Sequence, residues 1–326
     1  MILITHFVFF FSMILAGLAS ATSLDAGISP QPMLSAQKAL SNMVTAMQTL
    51  NFQGTVVFMR NGKLEPMKYF HAINEGREQE RLLSLNSPLR EIVRDAKQVR
   101  CLYKSTQTLN VDYRPFERSF LIDIPDDLQA LNAVYEILLT GQEDIALRPS
   151  YVIALKPKDN LRYPRTVWLD TQHFLPLKIA TYDFTNTIIE QKVFTDLQIV
   201  VEIALVETQQ PKAMSPQLST IEREFIIASL PKGFKEIYFT RRPLHNSQPV
   251  DHLLLSDGLA FVSVYWEKNA KNHPAPPQTD KHVQSLDTVN FFSRTLDTNE
   301  LTVMGEVPAE TVKAIAEAVE LKKIGD

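Results

Sequence analysis

Residues 52–73 read FQGTVVFMRNGKLEPMKYFHAI, and this stretch decides the fold class. Residues 52–60 are rich in β-branched and aromatic side chains, Asn61-Gly62 is the strongest short hairpin signal, and residues 64–73 run back as the return strand. Upstream, Ala36, Leu40, Met43, Met47 and Leu50 recur at steps of four and three, which predicts a helix with one apolar face. Downstream, short strand-like runs follow at 80–85, 90–94, 99–103 and 108–113. Asp126-Asp127 then introduces a second predicted helix, with Leu128, Leu131, Val134, Tyr135 and Leu138 on one side and Gly141 as its stop. Further strands are predicted at 151–155, 165–170, 177–184, 188–194 and 199–206. Successive short strands with few helices spell an α+β fold with a large antiparallel sheet curled toward a barrel. The regular strand–helix alternation of a doubly wound enzyme is missing.

The segment ETQQPKAMSPQLST (207–220) is polar, carries two prolines and follows neither period, so it reads as a linker. Beyond it, strands are predicted at 235–241, at 253–255 and 259–266 around an Asp257-Gly258 turn, and at 289–292 and 301–303. A closing helix starts with Pro308 near its first position, turns Val312, Ile315, Ala316 and Val319 inward and ends near Lys322-Lys323. Residues 268–282 (KNAKNHPAPPQTDKH) read as a mobile loop. The expected organisation is a leader at 1–21, a larger domain at 33–206, the linker at 207–220 and a smaller domain at 221–326.

The opening MILITHFVFFFSMILAGLASATS has an apolar run over 7–18 and an A-x-A pattern at Ala19-Ser20-Ala21, which reads as a secretory leader. The n-region carries no Lys or Arg, and an uncleaved anchor is the alternative, since the stretch to Ala21 approaches the roughly 20 residues that span a bilayer. With 45% hydrophobic and 21% charged residues, the rest is an ordinary globular mixture. A formal net charge of -4 argues against a nucleic-acid partner, which requires a cationic surface. Cys101 is the only cysteine, so an exported chain has no internal disulfide and packing must hold it together. Its apolar surroundings suggest a buried, inert thiol.

Catalytic patterns are missing: there is no G-x-S-x-G elbow, Walker loop, G-x-G-x-x-G or H-E-x-x-H. No catalytic residue, metal ligand or cofactor is therefore assigned. His245, His252, His273 and His282 read as solvated loop residues, and His71 and His173 as structural ones. Asp123, Asp126 and Asp127 read as an acidic helix start. Arg77, Arg81, Arg90, Arg94 and Arg100 either form an anion-recognising patch or are neutralised by Glu75, Glu78, Glu80, Glu91 and Asp95. Arg241-Arg242 is sharper, because neighbours on a strand point to opposite faces: one can brace the fold while the other meets a partner. Phe52, Val56, Phe58, Met67, Phe70 and Trp168, with Met59, Phe116 and Phe120, are the candidate walls of a lipid-sized cavity, with a filled core as the alternative.

Several segments resemble the RseB/MucB family of periplasmic regulators of the envelope-stress sigma factor. They are LNFQGTVVFMR (50–60), EQERLLSLNSPLREIVRD (78–95), VWLDTQHFLPLKI (167–179), LPKGFKEIYFTRRPL (230–244), LLLSDGLAFVSVYWE (253–267) and GEVPAETVKAIAEAVEL (305–321). The chain departs from the family at Ser87-Pro88, where a Gly often precedes the Pro. The resemblance implies an unclosed β-barrel domain similar to LolA and LolB, followed by a smaller sheet-and-helix domain. It implies a non-enzymatic periplasmic protein that binds the periplasmic segment of an RseA- or MucA-type anti-sigma factor and shields it from the site-1 protease DegS. Lipopolysaccharide or mislocalised lipoprotein would release that segment. On this view Arg241, Arg242, Asp257 and Gly258 contribute to the anti-sigma surface, and the oligomeric state stays open. The competing reading is a periplasmic lipid or lipoprotein carrier.

Overall fold

The structure, a computed structural model, describes residues 34–322 apart from 96–97, 104–105, 107, 114–118, 126, 207–221, 244–248, 269–282 and 287. The expected leader, the linker and all but Lys268 of the loop at 268–282 lie outside the described residues, as do His245, His273, His282 and Phe116.

The chain begins with α1 (Ala36–Thr49), capped by the Ser35 side chain, which accepts from the Lys38 amide. At Leu50 the backbone becomes extended and passes directly into β1 (Asn51–Arg60). β2 (Lys63–Asn74), β3 (Arg77–Ser84), β4 (Arg90–Asp95), β5 (Gln98–Tyr103) and β6 (Thr108–Tyr113) follow as an antiparallel meander. After α2 (Leu128–Val134) come β7 (Tyr135–Ile145), β8 (Arg148–Pro157), β9 (Arg165–Asp170), β10 (Pro176–Tyr182) and β11 (Ile188–Val200). Together they form one eleven-stranded sheet in the order β6-β5-β4-β3-β2-β1-β11-β10-β9-β8-β7. Its edges β6 and β7 do not pair with each other, so the sheet curls without closing.

β1 lies at the centre between β2 and β11, and alternation puts Phe52, Gly54 and Val56 on the buried face. The apolar side of α1 (Ala36, Ala39, Leu40, Met43 and Ala46) joins the same core. Gly54 is required there: a Cβ would stand 2.2 Å from the Asp196 carbonyl oxygen, beside the register shift of β1 against β11.

Three expectations for the first sheet are corrected. The second helix stops at Val134, and Tyr135 to Ile145 forms the edge strand β7. The buried Tyr135 and Ile137 flank an exposed Glu136, so period two wins over the helical pattern once the strand pairs with β8. The segment 199–206 is no separate strand, because β11 runs unbroken to Val200 and 202–206 have no regular structure. Cys101, on β5, is half-buried, not buried.

The second sheet contains β13 (Lys235–Pro243), β14 (Pro249–Ser256), β15 (Phe261–Glu267), β16 (Gln284–Leu286), β17 (Val289–Leu296) and β18 (Asn299–Gly305), in the order β13-β14-β15-β18-β17-β16. β12 (Phe225–Ile227) pairs separately with β19 (Val319–Leu321). α3 (Ala309–Glu317), with Pro308 at its N-cap, packs Val312, Ile315 and Ala316 against this sheet's core. The helix ends at Glu317 and Val319 belongs to β19, so Lys322 does not end the helix as expected, and Lys323 lies outside the described residues. No helix among the described residues is long and apolar enough to cross a membrane.

The packing around Gly54 makes a direct prediction. Gly54→Ala should lower unfolding free energy by about 1–3 kcal/mol through overpacking. Gly141→Ala, where a Cβ meets nothing within 4 Å, should stay within about 0.5 kcal/mol of the parent. Urea unfolding of the two variants checks the contrast.

Candidate functional site

The concave face of the first sheet is polar at one end and open at the other. At the polar end the His71 ring stacks on Phe52 at 4.7 Å between centroids. Its Nδ1 lies 3.0 Å from the Leu50 carbonyl oxygen and its Nε2 3.2 Å from Glu78. Glu80 accepts from Tyr69 (2.7 Å), Ser119 Oγ (2.5 Å), the Phe120 amide (2.7 Å) and Arg94 Nε (3.0 Å). Arg94 also bonds Glu78. Burial first, and then the charge of Glu80, pushes the Tyr69 hydroxyl well above its ordinary value, so it stays a donor. Burial alone would raise Glu78, but His71 and Arg94 hold it below the usual carboxylate value.

His71, Glu78 and Glu80 bring three potential ligand atoms within 4.8 Å of one another. Each is already engaged, and the Arg94 guanidinium supplies the cation, so this cluster braces α1 against β2, β3 and β4. Three more arginines of the stretch are likewise paired locally: Arg77 with Asp95, Arg81 with Glu91 and Arg90 with Glu65. The buried Nε of Arg100 has no hydrogen-bond partner among the described residues.

The open end lies at the tip of the β1–β2 hairpin. There a cleft of ≈ 360 Å³ has Phe58, Met67, Leu82 and Ile92 in its walls and Arg60, Lys63, Glu65, Arg90 and Glu190 among them. Its volume is in the range of small-molecule sites. The candidate cavity residues divide accordingly. Phe58 and Met67 line the cleft, whereas Phe52 and Val56 fill the core beneath α1. Phe70 and Trp168 face away from it. Phe70 carries the Arg81 guanidinium 5.1 Å from its ring, and Trp168 packs with Val152 and Ala180 beneath Lys178. Strand alternation opposes them to their buried neighbours Tyr69, Val167 and Leu169.

Where the two sheets meet, the 158–164 connection between β8 and β9 docks against the second sheet. Arg162 has no solvent exposure. Its Nη2 donates to the Lys232 carbonyl at 2.7 Å, and its Nε lies 3.3 Å from Asp257 Oδ2 in an ionic contact. The guanidinium faces the rings of Tyr135 (5.7 Å) and Phe234 (5.3 Å). Tyr135 donates to Asp257 at 3.0 Å, and Asp257 also accepts from the Leu259 and Ala260 amides. Leu259 inserts into the core of the first sheet, and Arg165 donates to its carbonyl at 3.0 Å.

Two glycine turns allow this approach. A Cβ on Gly233 (φ +88°) would stand 2.7 Å from Val134, and one on Gly258 (φ +102°) 2.9 Å from Pro125. Thr311 on α3 completes the seam by donating to the Leu161 carbonyl at 2.6 Å.

Asp257 and Gly258 are thus inside the seam, where the sequence reading had put them on a partner surface. Arg241 sits on β13 and grips the buried Asp251, which bonds it through two contacts. Arg242 is the next residue of β13, and its side chain lies outside the described residues. His252 is no loop residue: it lies on β14, stacked on Tyr265 at 4.5 Å and bonded to Ser263 and Tyr238. Arg162 was missed by sequence reasoning, since nothing in its local pattern announces burial.

Comparison with known proteins places these features in a family. The model of the MucB/RseB N-terminal domain matches residues 35–214, and that of the MucB/RseB C-terminal domain matches 219–320. The chain belongs to the MucB/RseB family. It is 29% identical over 291 residues to the sigma-E factor regulatory protein RseB of Escherichia coli K12, covering 86% of this chain and 89% of that one. To the sigma factor AlgU regulatory protein MucB of Pseudomonas aeruginosa it is 30% identical over 289 residues, or 85% and 88% of the two chains. A solved complex of Pseudomonas aeruginosa MucA and MucB superposes with a TM-score of 0.70 at 27% identity, covering 89% of this chain and 99% of that one.

The seam makes its own prediction. Asp257→Asn takes away the fully buried ionic partner of Arg162 and leaves only the part-exposed Asp159 at 3.5 Å, and unfolding free energy should drop by about 3 kcal/mol. Adding Arg162→Met should recover part of that loss. Equal losses in the single and double variants, measured by urea unfolding, would contradict the pairing.

Proposed function

We propose that this protein is an exported, periplasmic regulator that works by binding and not by catalysis. It holds the periplasmic segment of a membrane-spanning anti-sigma factor of the MucA or RseA type and shields it from site-1 proteolysis. It lets the segment go when lipopolysaccharide or a mislocalised lipoprotein binds. The observation that carries this reading is the likeness over nearly the whole length of a MucB chain solved together with MucA.

The physical requirement is linkage. A lipid releases the segment only if it binds the segment-free state better, and a swing from 99% to 1% bound needs about 5.5 kcal/mol of differential affinity. The cleft supports the lipid arm, since it offers an apolar floor beside cations. The seam supports the coupling arm, since it is where a change in one sheet reaches the other. In this account the first domain spans 33–206, the linker 207–220 and the second domain 221–326. Arg241 and Arg242 contribute to the anti-sigma surface, while Asp257 and Gly258 act through the angle between the sheets. The same cleft favours a second reading, a lipid or lipoprotein carrier that recognises no anti-sigma segment.

Binding of the protein lacking residues 1–21 to the periplasmic segment of its anti-sigma factor separates the two. The regulator binds the segment, lipopolysaccharide weakens that binding, and Arg241→Ala or Arg242→Ala weakens it more than about twofold, a loss well within the range of single interface truncations. A folded protein that does not bind the segment overturns the reading and leaves the carrier.

A further inference from the structure

Most contacts across the seam are shielded from water, but one is not. Arg60, at the end of β1, donates from Nη2 to Glu190 on its own sheet (3.0 Å) and to Glu306 of the β18–α3 connection (2.5 Å). Its side chain is 46% exposed, and those of Glu190 and Glu306 are 18% and 30% exposed. Burial alone would raise the Glu190 carboxyl, but Lys192, Arg60 and Arg165 hold it at about 2, so it stays a permanent anion beside Arg60. Arg60 and Glu190 both line the cleft, whereas Glu306 does not. One guanidinium therefore belongs to the cleft and to the contact between the sheets.

The shape of the guanidinium makes these two roles compete. It offers two edges for a bidentate grip on an oxyanion, Nε with Nη2 and Nη1 with Nη2, and both use Nη2. Elsewhere in this chain Arg77 and Arg241 grip Asp95 and Asp251 through the Nε–Nη2 edge. In Arg60 it is Nη2 that holds Glu306, while Nε and Nη1 have no hydrogen-bond partner among the described residues. Nη2 has two hydrogens, one on each edge, and its two acceptors are Glu190 and Glu306, so an anion that takes Arg60 in a fork must displace one of these carboxylates. Glu190 also has Lys192 4.0 Å away, which leaves Glu306 as the one to yield.

The charges of the cleft favour such an anion. Three cations (Arg60, Lys63 and Arg90) line it against two carboxylates (Glu65 and Glu190). Arg90 is tied to Glu65 through both carboxylate oxygens, and Lys63 has no carboxylate within ion-pair distance among the described residues. Phe58, Met67, Leu82 and Ile92 offer apolar wall beside them.

We propose that Arg60 is the residue through which the second sheet reads the occupancy of the cleft, and that the occupant is an amphiphile with a phosphate-like head and an acyl chain. The head takes Arg60 Nη2 from Glu306 while the chain lies against the apolar wall. This deepens the lipid arm of the regulatory reading and rests on it. An exposed ion pair shifts an equilibrium by no more than about fivefold, so this exchange is one contribution to release and is weak enough to be reversible.

The test uses lipid alone, with no anti-sigma segment, so that it stands or fails separately from segment binding. Calorimetric titrations compare a monomeric lysophosphatidate with the monoacylglycerol of the same chain length. The parent protein should bind the lysophosphatidate tighter, by up to about fivefold. Arg60→Gln should abolish that preference while keeping the monoacylglycerol affinity, and Arg60→Lys should restore part of it. Glu306→Gln should tighten lysophosphatidate binding by up to about fivefold, because Arg60 no longer has to be withdrawn from it. Glu310→Gln removes the same charge from α3 without touching Arg60 and should change nothing. Equal affinities of the parent for the two lipids, or no binding of either, overturn the assignment of the occupant. A preference that survives Arg60→Gln, or no tightening in Glu306→Gln, overturns the role of Arg60.

Discussion

A buried guanidinium needs partners, and those of Arg162 come largely from the other sheet. Taking such a charge out of water costs several kcal/mol unless anions, carbonyls and ring faces replace the solvent. Here the replacements are Asp257, the Lys232 carbonyl and the rings of Tyr135 and Phe234. Asp159, half-exposed in the same connection, is the only ionic partner from the first sheet among the described residues, at 3.5 Å. The separate placement of either sheet would leave Arg162 to be rehydrated. The rest of the seam follows from this constraint. Gly233 and Gly258 remove the side chains that would block the approach, and Leu259 fills the apolar gap beside it.

The contacts between the sheets therefore fall into two kinds. Around Arg162 they are dry and strong when intact. At Arg60 the contact is wet, cheap to exchange and shared with the cleft. A regulator needs both: a bistable joint that resists casual fluctuation and an accessible handle that a ligand can bias. The buried cluster around Glu80 is of another sort, since all its members lie in the first sheet and its neighbouring segments. It stiffens the floor below α1 and carries no message between the sheets.

Much of this was legible in the sequence because it is local. The 52–73 hairpin, the face of α1 and the meander that follows all rest on periods of two or 3.6 residues. The second helix failed where local and tertiary signals disagree: Leu128 to Leu138 satisfies a helical period, but pairing with β8 claims everything from Tyr135 onward. Asp257 and Gly258 were rightly read as a turn, but a turn pattern does not say what it packs against, and here it packs into the seam. Arg162 carried no signal at all. An arginine in a polar connection such as KDNLRYPR (158–165) reads as solvated, and its burial depends on residues about 70 and 95 positions away. The segments that carry the family resemblance in the second domain, LPKGF, SDGL and VPAET, turn out to supply the seam with Lys232, Gly233, Asp257, Gly258 and Thr311.

The most direct measurement is the distance distribution between spin labels on the two sheets. Labels at the exposed Leu147, in the β7–β8 turn, and Leu286, on β16, avoid the seam and the cleft, with Cys101→Ser to remove the native thiol. Double electron–electron resonance should give one narrow distribution for the otherwise unaltered protein and a broad one when Asp257→Asn is added. Equally narrow distributions in both would contradict the claim that the Arg162–Asp257 contact holds the two sheets in register.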